Sequence, residues 1–553
     1  MSERWDAVVV GAGHNGLVAA IGLARAGWRV LVLEAADEAG GALRSGELTM
    51  PGYVHDWFAT NLNLFLASRF YAEHASDLAR HGFVPVTSSS AFASAFPDGT
   101  SLGVTTDLEE TLAALGREHP GDAAGWRRLH DIFTRIAPVL FALYGSRAPS
   151  WAMAKAAAGG AVRLGLAGAV DAGMVLASSS RRLLDAHLVT DKAKALVAPW
   201  GLHLDFGPDV AGGAVFPFLE TFSDQTSGIT IAKGGASRLV AALCGLLAEH
   251  GGELRTGTRV ARVTVSGGKA TGVELEGGER VRADRAVLAS VTPRALAGEL
   301  LASHDLPARK RRALLSYRYG PATMMVHLAL SGPVPWRAEG LGAYAYVHLA
   351  PYLDDIARTY ADARSGRLPR EPLLVVGQTS VVDPSRAPAG RHVVWVQVRA
   401  LPRRIADDPM GQLAGSDWQD AAHPFAERVL AKLERAAPGI SGLVAAQAVL
   451  SPADLERHDP NLVGGDSISG SMHLAQNFVR RPAWGFSGYR TPLEGLFVIG
   501  ASTWPGPGLN AVSGYEAARL VLSGAARRPS APSPAAHGDP PRLGSPRCAN
   551  IDQ

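Results

Sequence analysis

Gly11, Gly13 and Gly16 stand in the order G-x-G-x-x-G, directly after the apolar run WDAVVV and at the head of HNGLVAAIGLARAG. Glycines at this spacing suit dinucleotide binding. The first makes a tight turn, the second lets the backbone approach a pyrophosphate, and the third lets a helix pack on a strand. The helix behind them would face the phosphates with free N–H groups and the positive end of its dipole. Glu34 closes the next apolar run, WRVLVLE, at the place where a carboxylate can accept the hydroxyls of an adenosine ribose. An acid there disfavours a 2′-phosphate. Gly40, Gly41 and Arg44 follow. A glycine pair lets the chain pass close to a pyrophosphate, and Arg44 can neutralise a phosphate. Read alone, that stretch is equally a surface turn with a solvated arginine.

The elements around this turn must hold it. WDAVVV reads as a buried strand, HNGLVAAIGLARAG as a helix stopped by Gly27, and WRVLVLE as the second strand of a βαβ unit. A comparable passage recurs near the far end, where GASTWPGPGLNAVSGYEAARLVL reads as a strand end, a Gly/Pro loop and an Ala-rich helix. A helix starting near Leu509–Val512 would present free N–H groups and the positive end of its dipole. Residues 105–145 read as helices, with DLEETLAALGREH opening on an Asp cap, and 137–182 are rich in Ala, Gly, Leu and Met. KGGASRLVAALCGLLAEHGG is a helix behind a glycine turn, and 253–290 alternate as short strands with Gly-Gly turns. A second β-rich block at 323–332, 373–383 and 391–398 predicts antiparallel strands, and 423–439 an amphipathic helix. From about Arg527, six prolines in 27 residues predict a disordered tail.

The chain has 553 residues, 47% apolar and 19% charged, with a net charge of +3 and no basic run. That predicts a multi-domain globular protein and disfavours nucleic acid as a partner. Cys244 and Cys548 can form neither a disulfide framework nor a zinc site, and they fit isolated thiols in a reducing cytoplasm. No metal site is expected. MSERWDAVVV enters a strand without the features of a signal peptide. The longest uncharged run, 495–515, is broken by Pro505 and Pro507 and cannot span a bilayer as a helix. The expected location is cytoplasmic, with peripheral membrane contact as a variant. The apolar 137–182 region is read as a helical part of a substrate domain, or else as a lid or membrane-dipping surface.

Five ordered stretches carry a resemblance. DAVVVGAGHNGLVAAIGLARAGWRVLVLEAADEAGGALRS resembles the FAD-binding start of the phytoene-desaturase-like flavoproteins, within the amine-oxidase-type FAD superfamily. PGYVHDWFA, then GGASRLVAAL with GELRTGTRVARV, then VVDPSRAPAGRHVVWVQV, and last YRTPLEGLFVIGASTWPGPGLNAVSGYEAA are similar to the family's later elements. The resemblance implies an α/β fold. Its Rossmann-like FAD-binding domain would be discontinuous (1–65, 229–295 and 485–526), with an α+β substrate domain of mixed or antiparallel sheet and helical lid (66–228 and 296–484) and the tail 527–553. One FAD would then be clamped from both ends of the chain. Its contacts are expected at Gly11, Gly13, His14, Asn15 and Gly16, at Glu34, Ala35, Gly41, Ala42 and Arg44, at Val260, and at Gly500, Ala501, Leu509, Asn510 and Val512. The family loop commonly runs as a proline, three glycines and a later His-Gly pair. Here Pro507 and Ala511 replace glycines and Asn510 stands where His is common, which stiffens the loop and puts the family's usual substrate in doubt.

The implied chemistry is dehydrogenation, or desaturation, of an apolar, isoprenoid or polyene, substrate by hydride transfer to flavin. No base can be named. His55, Asp56 and Asn510 are the catalytic candidates, each with a hydrogen-bonding structural role as its alternative. Trp504 is expected to border the flavin, as wall or as participant. Asp466 reads as a turn residue, His473 as packed, and His327 and His348 as core or cavity lining. The alternatives are a redox-neutral double-bond isomerase, an amine-oxidase-type oxidase and, last, a non-catalytic flavoprotein scaffold.

Overall fold

Two stretches of Val, Ile, Leu and Ala with β-branched character set two sheets, and Ala/Leu-rich helices cover them. In the computed structural model, residues 3–302, 305–350 and 352–525 are described. The expected tail 527–553 lies outside the described residues.

In chain order the principal strands are Arg4–Val10 (β1), Val30–Leu33 (β2), Ser90–Ala95 (β3), Ser101–Thr105 (β4), Glu253–Arg255 (β5), Val260–Ser266 (β6), Lys269–Leu275 (β7), Arg280–Ala289 (β8), Ala322–Leu330 (β9), Tyr346–Leu349 (β10), Leu373–Gly377 (β11), His392–Leu401 (β12), Val444–Leu450 (β13) and Leu496–Val498 (β14). The helices that matter here are His14–Arg25 (α1), Pro120–Tyr144 (α2), Trp151–Ala177 (α3), Val215–Ser227 (α4), Ser237–Glu249 (α5), Pro452–His458 (α6) and Val512–Ala525 (α7).

The first sheet runs β6-β7-β8-β1-β2-β5, with β14 on the free side of β8. Its β14-β8-β1-β2-β5 part is parallel, and β6 and β7 join it antiparallel. Strands from the start, the middle and the end of the chain therefore share one Rossmann-like sheet. Parallel strands buried on both faces read as continuous apolar runs, as VVV and VLVL do here. Helices α1, α5 and α7 pack into one core with β1 and β2.

The second sheet runs β13-β9-β12-β11-β10-β3-β4, antiparallel except for the β10–β3 pair. Strand β11 stops at Gly377, short of the stretch to 383 read from sequence, because a short helix Thr379–Val382 follows. The Gln378 side-chain amide turns the chain there by donating to the carbonyls of Leu341 and Tyr344. The amphipathic helix expected at 423–439 begins earlier and spans Trp418–Ala436.

To the uncharged run 495–515, the one stretch weighed as a membrane span from sequence, the structure adds helix α3. It is long and apolar enough by length and composition, though its backbone leaves helical geometry at Gly165. It is mostly uncovered: Val162, Leu166, Val170 and Met174 recur every fourth residue, and the first two are each 85% exposed. Its Gly160 lies against Val139 of α2.

Candidate active site

The N-terminal turn is built as its glycines require. Gly11 has a φ of 96°, in the region that favours glycine. A Cβ on Gly16 would run into the carbonyl of Gly11, so this glycine sets how closely α1 approaches β1. Gly13 has open space where a side chain would stand. The Glu34 carboxylate accepts from Ala12 N–H at 2.7 Å and from Ala36 N–H at 2.9 Å, which holds the acid across the mouth of the turn. Gly13, His14, Asn15, Glu34, Ala35, Gly41, Ala42, Arg44 and Val260 all border one cleft of about 800 Å3. Arg44 Nε is buried there without a protein partner, a donor left over for a ligand.

The other end of the chain closes on the same cleft. Gly500, Ala501 and Leu509 line it. Helix α7 starts at Val512, and Asn510 caps it, its Oδ1 accepting from Val512 N–H at 3.1 Å. The two turns touch. His14 Nε2 lies 3.0 Å from the Asn510 carbonyl, and Gly514 N–H donates to Asn15 Oδ1 at 3.1 Å. Burial holds the His14 ring neutral, its pKa lowered to about 4. Gly514 has no room for a Cβ, which would meet the Asn15 carbonyl. Gly16, Asn510 and Val512 thus shape the cleft from behind its wall.

The three catalytic candidates are corrected. His55 is buried, stacks edge-on to His327 and contacts Thr49 Oγ1 through Nε2 at 2.9 Å. Asp56 is fully buried and accepts from Ser45 Oγ and Ala236 N–H, with Arg386 at 3.0 Å as its ion-pair partner. Neither lines the cleft; Asp56 ties the segment after Arg44 to the start of α5, and His55 packs against β9. The Asn510 amide is spent on the cap and on the Gly506, Pro507 and Gly508 carbonyls. Trp504 is also set back: it stacks on Tyr144 and Phe478 and donates to the Ser146 carbonyl. Asp466 accepts from three backbone N–H groups, those of Gly320, Ile468 and Gly470. His473 joins Tyr360 and Asp205, and His327 and His348 are wholly buried.

Beyond the nucleotide cradle the cleft continues into a chamber between α4 and the second sheet. Phe58, Trp200, Phe216, Met325, Tyr346 and Trp395 supply apolar wall. One face of α4 adds Glu220, whose Oε1 accepts from Asn61 Nδ2 at 3.3 Å. Burial raises Glu220 to about 7. Asp224, one turn further and buried, accepts from Asn63 Nδ2, and its pKa is raised by burial and by the Glu220 charge. Each carboxylate of the pair disfavours ionisation of the other.

Several lining residues carry no local motif. His458 at the end of α6 and Asp459 and Asn461 just after it border the cleft, and Asn461 ties this segment to Ser290 and Thr292 of the loop after β8. Burial, with the Glu34 charge adding to it, raises Asp459 to about 6. Two signals were legible in hindsight. FLETFSDQ sets two acids one helical turn apart among aromatics, and VVWVQVRAL places Gln397 and Arg399 at period two in an otherwise apolar strand.

A glycine turn with a ribose-seeking acid, an orphaned arginine donor and a second helix start at the far end together fit an FAD. The comparisons agree. The profile described as flavin containing amine oxidoreductase matches residues 171–426, and that of an NAD(P)-binding Rossmann-like domain matches 9–80. The chain is 27% identical to the rat (Rattus norvegicus) pyridine nucleotide-disulfide oxidoreductase domain-containing protein 2, over 94% of each. It is 25% identical to a neurosporene-forming phytoene desaturase of Cereibacter sphaeroides, over 93% of each. Wild-type putrescine oxidase bound to putrescine shares the fold, with a TM-score of 0.57 at 16% identity, covering 95% of this chain and 99% of that one. These likenesses support an FAD-dependent oxidoreductase of the amine-oxidase-type superfamily. Within that superfamily the chain is similar to phytoene desaturases.

Proposed function

We propose that this FAD-dependent oxidoreductase desaturates a largely apolar substrate, isoprenoid or polyene in character. The observation that carries the reading is the continuity of the cleft, from the nucleotide cradle into a chamber walled by Phe58, Trp200, Phe216, Met325, Tyr346 and Trp395. Bound FAD supplies a hydride acceptor. The apolar wall orients the hydrocarbon and excludes water. Glu220 is the one carboxylate of α4 that borders the chamber, and its burial tunes it to take a proton near neutral pH. The desaturase relative supports the substrate class.

The exposed ridge of α3 gives such a substrate a source. Val162, Leu166, Val170 and Met174 would rest on a membrane surface that stores it. The protein would then be cytoplasmic and peripheral at the bilayer.

Product mass tests the reaction. Anaerobic single turnover of the FAD-loaded protein with C10 to C40 isoprenoids should give a product lighter by two hydrogens. A product of unchanged mass would replace desaturation by double-bond isomerisation, and release of an amine-derived aldehyde would replace it by amine oxidation.

A further inference from the structure

Strand β12 points Trp395, Gln397 and Arg399 into the cleft from alternate positions. A strand advances about 3.3 Å per residue, so the row runs roughly 13 Å, from an aromatic end to a cationic one. The cation is unusual in its company. Arg399 is buried, and its Nε donates to Gln397 Oε1 at 2.7 Å and its Nη1 to Ser467 Oγ at 2.8 Å. Its Nη2 donates to His203 Nδ1 at 3.1 Å. All three partners are neutral. Burial and the Arg399 charge keep His203 unprotonated. Among the described residues no carboxylate pairs with Arg399. The opposing charge that acts on it is Asp466, whose oxygens already serve three backbone N–H groups.

Two other arginines of the interior are paired with carboxylates, and a third is held by backbone carbonyls. Arg386 has Asp56 and Asp383, Arg428 has Asp408, and Arg481 is bonded to the carbonyls of Gly470, Ser471 and Ala501. None of those three lines the cleft. A guanidinium has five N–H bonds, so Arg399 keeps two to spare, one on each terminal nitrogen. The backbone is bent to present it. Between Met324 and Ala322 of β9, β12 spends an extra residue, and the buried Ala400 next to Arg399 takes a φ of 56°. Such bulges re-aim side chains and cost strain that a binding site can justify. Burial of the unpaired charge lowers the Arg399 pKa to about 9, a cost that an incoming anion would relieve.

We propose that Arg399, with Ser467, Gln397 and His203 around it, is the anchor for an anionic head group, so that the substrate is an apolar carboxylic acid rather than a plain hydrocarbon. The carboxylate would take the two spare N–H bonds, and the chain would lie along β12 toward Trp395, Met325 and Tyr346. This rests on reading the chamber as the substrate site, and it adds the class of substrate.

The test is equilibrium binding to the FAD-loaded protein at pH 7.5, by calorimetry and by perturbation of the flavin spectrum, using octanoate and octan-1-ol. The wild type should bind octanoate at least tenfold more tightly than the alcohol, and Arg399→Gln should lose roughly tenfold or more for the acid while changing the alcohol less than about twofold. Ser467→Ala, a smaller change that preserves the charge, should weaken the acid by a lesser factor. Equal binding of acid and alcohol, binding of neither, or equal loss of both in Arg399→Gln with Ser467→Ala unchanged would overturn the proposal. Preferential acid binding with no desaturated product from any acid would instead leave the subsite standing and remove the desaturase reading.

Discussion

Glu220 faces the cleft with its pKa raised by burial to about 7, and Asp224, raised by burial and by the Glu220 charge, lies one turn further along α4. A base must be ionised to accept a proton. kcat/KM should therefore rise with pH through about 7, and Glu220→Gln should abolish that limb and lower turnover by about 10²- to 10⁴-fold. Stability runs the other way. The fold favours the protonated acid, so its contribution is full below the ordinary carboxylate range and is lost as pH rises through about 7. The melting temperature of the FAD-free protein should fall between pH 4.5 and 7, and less steeply in Glu220→Gln. At the cradle, Glu34→Ala leaves Ala12 N–H unpaired, and FAD affinity measured by fluorescence quenching should drop roughly tenfold or more. Glu34 was legible because its partners sit a fixed number of residues away within one βαβ unit. Glu220 and Arg399 left only local patterns, acids one turn apart and polar residues at period two in an apolar strand, because their shared role appears only when α4 and β12, more than a hundred residues apart, close on one chamber. His55 and Asp56 misled for the converse reason: proximity in sequence to the cofactor segment did not bring them to the cleft.

The joint between α1 and α7 decides whether the two turns act as one clamp. Gly514 lets α7 lie against Asn15, and His14 meets the Asn510 carbonyl across the same joint. Gly514→Ala should push the helices apart at about 1–3 kcal/mol, lowering the melting temperature of the holo-protein and speeding FAD release in a dilution assay. Each turn could be read alone from its glycines and the apolar run before it. Their contact could not, because it joins opposite ends of the chain. Helix α3 shows the limit of patterning differently. Its apolar content was evident, but only the structure shows which face is left bare.

At the scale of the molecule, one sheet binds a nucleotide, the other walls a chamber, and α3 offers an apolar ridge outside both. If that ridge rests on a bilayer, the protein should co-sediment with vesicles, and Val162→Glu with Leu166→Glu should release it without changing FAD content. The discontinuous Rossmann-like sheet was legible from its two glycine turns and the resemblance they carry; the chamber that decides the substrate was not. The central claim is that the cradle and the chamber form one redox site. The direct measurement is anaerobic titration of the FAD-loaded protein with an apolar isoprenoid acid, followed through the flavin absorption band. The account predicts stoichiometric bleaching of that band and formation of a product lighter by two hydrogens. A protein that binds the acid and keeps its band unbleached, or one that neither carries nor takes up FAD, would contradict it.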